Sequence, residues 1–102
     1  MPKIIVSPEA RNDLSNIHHY IKVEHQSPES ASRIMSSLKK TILSLSSFPE
    51  RGTPLNTILS VNTDFRFLMC GRYRVFYLID GHFIEVIRIL HTRQDFMRAL
   101  FK

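Results

Sequence analysis

His91-Thr92-Arg93-Gln94-Asp95 is the stretch of this sequence with the most chemistry in it. A histidine two residues from an arginine can combine proton transfer with charge stabilisation at a phosphate. Asp95 has a structural alternative, pairing with Arg93 or capping a terminal helix. Arg66, Arg72, Arg74 and Arg88 precede this segment and Arg98 follows it, with Tyr73 and Tyr77 interleaved. The planar guanidinium fork suits phosphates and carboxylates alike. In an extended strand, Arg72, Arg74 and Phe76 share one face and Tyr73, Val75 and Tyr77 the other. One face must meet the rest of the protein, so the other is expected to carry arginines to solvent. The same residues also suit the ordinary polar face of an open sheet, and pattern alone leaves both readings standing.

The charge distribution favours an anionic partner. The chain has 102 residues with a formal net charge of +5. Residues 1–50 carry six basic and five acidic side chains; residues 51–102 carry eight and four, and seven of those eight are Arg, including Arg51. Nucleic acid or an acidic protein fits such a half. Other classes find no support. There is no Gly-rich phosphate loop, no CxxC pair and no serine elbow. His18, His19 and His25 lack the spacing of a zinc site, so neither a metal nor another cofactor is expected. Cys70, the one cysteine, cannot form an internal disulfide and reads as a core thiol. No signal-peptide pattern and no membrane-spanning apolar run is present, so a cytoplasmic protein without membrane contacts is expected.

The elements that must position these residues are legible from local signals. A chain of this length holds one domain of about two layers. Ile4-Ile5-Val6 is a short β-prone run, and Ser7-Pro8-Glu9 is a helix start: a cap, a first-turn proline and a favourable charge. Ala10, Leu14, Ile17 and Ile21 then mark one helical face. Ser27-Pro28-Glu29 repeats the start signal, followed by Ala31, Ile34, Met35, Leu38, Ile42 and Leu45, until Phe48-Pro49 stops the helix. The serines of this second helix fall mainly off its apolar stripe. Residues 49–63 read as a loop. Strands follow at 65–70, 73–79 and 83–90, joined at Gly71-Arg72 and at Asp80-Gly81, where a type I′ turn is expected. Phe96, Leu100 and Phe101 suit a short terminal helix or a tail. The fold class is α+β: an N-terminal strand, then an antiparallel helical hairpin packed on a small antiparallel sheet.

Taken in order, these segments carry a resemblance. Ser7-Pro8-Glu9-Ala10 with Asp13-Leu14, Ile17 and Tyr20-Ile21 resembles the first helix of ParE-like toxins, and Ser27-Pro28-Glu29 with Ala31 the start of their second. Phe48-Pro49-Glu50-Arg51-Gly52, Phe65-Arg66-Phe67-Leu68, Tyr73-Arg74-Val75-Phe76-Tyr77 and the run from Ile87 to Asp95 resemble the loop, strands and terminal motif of the RelE/ParE toxin superfamily. The resemblance implies the toxin of a type II toxin–antitoxin pair, with a cognate antitoxin that wraps and neutralises it. RelE-like members cut mRNA on the ribosome; ParE-like members poison DNA gyrase without cutting. On the first reading, Arg66 and Arg93 match the family's sheet arginines and His91 would move a proton. On the second, Arg72, Arg74, Tyr77, Arg88 and Arg98 would bind target or antitoxin. The tyrosine that RelE carries after its last strand is absent here, Phe96 and Phe101 having no hydroxyl, and residues 41–101 contain no Lys. The long N-terminal helices also look more like ParE, so the gyrase reading is the one expected.

Overall fold

The computed structural model describes residues 2–24 and 26–101. His25, named above with the other histidines, lies outside them. Strand β1 (Lys3–Val6) leads into helix α1 (Pro8–Glu24), and α2 (Pro28–Ser44) follows after a short connection. Ser7 caps α1 by accepting the Ala10 amide at 3.0 Å, and Ser27 caps α2 by accepting the Ser30 amide at 3.2 Å. Both sequence start signals therefore work as capping devices. Strand β2 is two residues long (Thr53–Pro54); β3 (Arg66–Cys70), β4 (Tyr73–Asp80) and β5 (Phe83–His91) form a meander, and α3 (Phe96–Leu100) closes the described chain. The 49–63 segment is thus not featureless: single turns of 3-10 helix at Pro49–Arg51 and Leu55–Thr57 flank β2. None of the described helices is long and apolar enough to cross a membrane.

The sheet order is β1-β5-β4-β3-β2. It is mixed rather than purely antiparallel, because β1 runs parallel to β5, Ile4 opposite Ile84 and Val6 opposite Val86. The helical hairpin between β1 and the meander is the crossover that such a pairing needs. The turn at Asp80-Gly81 also differs from expectation. Asp80 pairs with Phe83, so the loop residues are Gly81 and His82, and only Gly81 has positive φ, +58°. One positive φ at the first loop position is the type II′ pattern, not I′. Gly71, at +58°, plays the same part between Cys70 and Tyr73.

Both faces of the sheet are covered. On one, Ala10, Ile17 and Ile21 of α1 and Ala31, Leu38 and Ile42 of α2 meet Tyr73, Val75, Val86 and Ile89. On the other, Phe76 and Leu90 are packed under Leu55, with Phe96, Ala99 and Leu100 of α3 beside them. The expectation of an arginine-bearing solvent face on β4 is therefore corrected. Phe67, Phe76 and Leu90 are apolar residues on that second face, and burying them draws the terminal helix and the loop across it. Asp95 caps this helix by accepting the Arg98 amide at 3.3 Å, which realises the structural option for that residue.

Candidate functional site

Several of the residues expected to bind or catalyse turn out to hold the fold. Tyr77 is completely buried. Its hydroxyl donates to the Pro49 carbonyl at 2.8 Å and accepts the Gly52 amide at 2.9 Å. It anchors the 49–52 loop from inside the core, with no side-chain surface of its own. Burial raises its pKa above the ordinary value of 10.0, the Gly52 hydrogen bond and the nearby Arg66 and Arg51 partly opposing. Such a phenol favours folding below pH 10 and loses that contribution as pH rises through its raised folded value. We therefore expect urea midpoints to hold up to pH 10 and to fall above it, by up to about 1.4 kcal/mol per pH unit for each buried tyrosine. In Tyr77→Phe the alkaline decline should be shallower. An unchanged decline would remove Tyr77 as its source.

Arg66 sits opposite Tyr77 and donates through Nη1 to the carbonyls of Gly52 at 2.9 Å and Glu50 at 3.2 Å, clamping the same loop. Arg88 forms a bidentate pair with Asp13, Nε to Oδ2 at 2.8 Å and Nη2 to Oδ1 at 2.9 Å. This hydrogen bonding raises the Arg88 pKa, with burial opposing. Both arginines, expected as site residues, act as tertiary clamps in the isolated chain. The clamping role of Asp13 is what sequence reading missed, although its position was a signal. A carboxylate three residues after Ala10 and four before Ile17 falls on the apolar stripe of α1, where only a paired charge is tolerated.

Of the three candidates for catalysis, His91 and Arg93 lie together and Arg66 lies apart. His91 lies opposite Tyr73 and Arg66 opposite Tyr77. Four strand residues give roughly 13 Å and two interstrand steps about 10 Å more, so the Cα atoms of Arg66 and His91 are about 16 Å apart. The Arg66 guanidinium is turned to the Gly52 and Glu50 carbonyls and makes no hydrogen bond with His91 or Arg93.

What the structure does bring together is a groove at the other end of the sheet. Tyr20 of α1, Arg33 of α2, Arg72 of the β3–β4 turn, Tyr73, His91 and Arg93 line two adjoining pockets of about 370 and 540 Å³. The imidazole of His91 packs edge-on against Tyr73, centroids 5.3 Å apart. Its Nδ1 accepts the Arg93 amide at 3.0 Å, which leaves the proton of the neutral ring on Nε2. Gln94 holds the same turn, its Oε1 accepting the His91 amide at 2.8 Å. Tyr73 has its pKa raised, mainly by burial and next by Tyr20, with Arg72 opposing. Arg93 and Arg72 are exposed, as is Arg98 on α3. Arg74 lies on the opposite face, its guanidinium 5.3 Å over the ring of Phe96. Of the expected binding residues, Arg72 belongs to the groove, whereas Arg74 and Arg98 lie near α3. Among the described residues no group of three or more His, Cys, Asp or Glu could hold a metal ion.

Comparison with known proteins agrees with this architecture. The family model described as "ParE toxin of type II toxin-antitoxin system, parDE" matches residues 4–96. Among solved structures, the chromosomal ParDE system from P. aeruginosa is similar with a TM-score of 0.71 and 20% identity, covering 89% of this chain and 96% of that one. The RelBE2 toxin–antitoxin complex from Mycobacterium tuberculosis is similar with a TM-score of 0.62 and 25% identity, covering 89% and 99%. No curated protein sequence matches.

Proposed function

We propose that this chain, which belongs to the ParE toxin family of type II toxin–antitoxin systems, arrests growth by binding DNA gyrase rather than by cutting RNA. The observation that carries this reading is the dispersal of the would-be nuclease residues. Of the three, Arg93 lies beside His91, but Arg66 is committed to the carbonyls of Gly52 and Glu50, two strands away. A ribonuclease needs a proton carrier and cations converging on one phosphate. A poison that acts by binding needs only a complementary surface, and Arg72, Arg93 and Arg98 remain exposed for that purpose. A cognate antitoxin is the second partner. Large apolar side chains stand in solvent, Leu43 56% and Phe48 66% exposed among them, and a segment that folds on binding would cover such positions.

His91 beside Arg93 favours the alternative, a ribosome-dependent mRNA endonuclease, because that pair alone retains acid–base and phosphate-binding character. The two readings separate in one experiment. Purified toxin is added to a gyrase supercoiling assay and, in parallel, to ribosomes translating a defined mRNA. We expect supercoiling to be inhibited and the mRNA to stay intact. Replacing Arg72, Arg93 and Arg98 together by Ala should weaken inhibition at least tenfold, since each lost charge-assisted contact is worth about 1.5–3 kcal/mol. Normal supercoiling at high toxin excess, with ribosome-dependent cuts in the message, would reverse the assignment.

A further inference from the structure

The groove between the helical hairpin and the sheet end has the composition of a small-ligand site, whatever larger surface its exposed arginines also serve. Tyr73 is the informative residue. It is 8% exposed, yet its hydroxyl hydrogen-bonds no group among the described residues. It is also not sealed in, since no buried side-chain oxygen or nitrogen among the described residues lacks a partner. Tyr73 lines both pockets, so its unpartnered hydroxyl is a donor presented to whatever enters. Three guanidiniums, those of Arg33, Arg72 and Arg93, share the wall with it. An anion is the ligand such a set selects, and three forks favour the double negative charge of a phosphate over a single carboxylate. The remaining wall is aromatic. Tyr20 is 57% exposed and faces the T-shaped pair of Tyr73 and His91 across the first pocket. An exposed ring beside cations is how proteins hold an unstacked base. The first pocket, about 370 Å³, has room for one base with its sugar and phosphate.

We propose that this groove binds a nucleotide: the base against Tyr20 and the His91 edge, the phosphate between Arg72, Arg93 and the Tyr73 hydroxyl. The same chemistry can come from a free nucleoside monophosphate or from one unit of a single strand. The site does not depend on the gyrase reading, because its test uses no gyrase and no toxicity readout.

The test is a binding titration with the purified full chain. Fluorescein-labelled oligothymidylate is followed by anisotropy, and thymidine monophosphate by amide and aromatic NMR shifts, with inorganic phosphate as the comparison. We expect saturable binding with shifts centred on Tyr20, Tyr73 and His91. Tyr73→Phe keeps the buried ring and removes only the hydroxyl; it should weaken binding about tenfold, as should Arg72→Ala. Lys3→Ala removes the same charge at the far edge of the sheet and should change affinity less than twofold. Shifts with the monophosphate assign a free nucleotide as ligand; binding of the oligomer alone, with the same variant pattern, assigns a strand. Three results would overturn the proposal: no binding of either nucleotide, equal losses in Arg72→Ala and Lys3→Ala, or groove shifts produced only by an acidic aromatic peptide.

Discussion

Asp13→Ala is expected to cost about 3 kcal/mol of stability, as much as truncating a core residue. The reason lies at the open edge of β5. Strand β1 covers that edge as far as Val86 and then leaves it, the Ser7 amide bonding the Val86 carbonyl at 2.9 Å. Beyond that point α1 supplies side chains where a neighbouring strand would supply backbone. The Ser7 hydroxyl donates to the Ile87 carbonyl at 2.7 Å, and Asp13 Oδ2 accepts the Ile89 amide at 2.9 Å. The same carboxylate takes both ends of the Arg88 fork. Alanine would strand a buried amide and leave the guanidinium without its anion. Arg88 retains 25% side-chain exposure, so water relieves part of the loss, and this holds the cost near the lower end for a broken buried pair. At about 4–8 °C per kcal/mol for a domain of this size, the melting temperature should fall by roughly 15–20 °C. Asp13→Asn keeps an acceptor for Ile89 and should lose about half as much. Thermal and urea unfolding of both variants reads this directly, and an alanine variant within about 1 kcal/mol of the parent would show that the clamp is dispensable.

Gly52→Ala is expected to be comparably damaging, by about 3 kcal/mol, for a purely steric reason. The backbone there is ordinary extended chain, φ −77° and ψ 156°, so no conformational preference is at stake. A Cβ would sit 2.7 Å from Tyr77 Cε1 and 2.9 Å from the Phe67 carbonyl oxygen, and closer still to the Tyr77 hydroxyl. None of these neighbours is free to move. Tyr77 is fully buried with Leu45 and Ile84, and the Phe67 carbonyl belongs to β3. Accommodation would also break the hydrogen bonds that Tyr77 and Arg66 make to this loop. Gly71→Ala and Gly81→Ala provide the contrast. Added Cβ atoms there meet nothing within 4 Å, and the only penalty is the left-handed backbone, about 1–2 kcal/mol. Urea unfolding should therefore rank position 52 well below 71 and 81. If all three alanine variants unfold together, the close approach at Gly52 is not what fixes the loop.

Much of the fold was legible because local devices carried it. Ser7-Pro8-Glu9 and Ser27-Pro28-Glu29 cap real helices, and the glycines at 71 and 81 sit in real two-residue turns. Those signals act through hydrogen bonds and φ values within a few residues, so they can be read before any partner segment is known. The parallel pairing of β1 was not legible. Ile4-Ile5-Val6 has the composition of a strand in either direction, and only its contact with β5, some 80 residues on, sets the sense. The cover over the second sheet face was equally hidden, because alternation assigns Phe76 to a face without saying what will lie on it.

The site divides along the same line. Residue type by itself determined that the second half of this chain is rich in guanidinium, aromatic and imidazole groups, and hence what kind of partner suits it. Type could not determine which arginines remain available, since a guanidinium serves a backbone carbonyl or a buried carboxylate as readily as a phosphate. Tertiary structure made that choice. The Asp13 carboxylate lies within reach of Arg88 and the Gly52 loop within reach of Arg66, while the turns at Arg72 and Arg93 meet no such acceptor among the described residues and open with Tyr73 onto the groove.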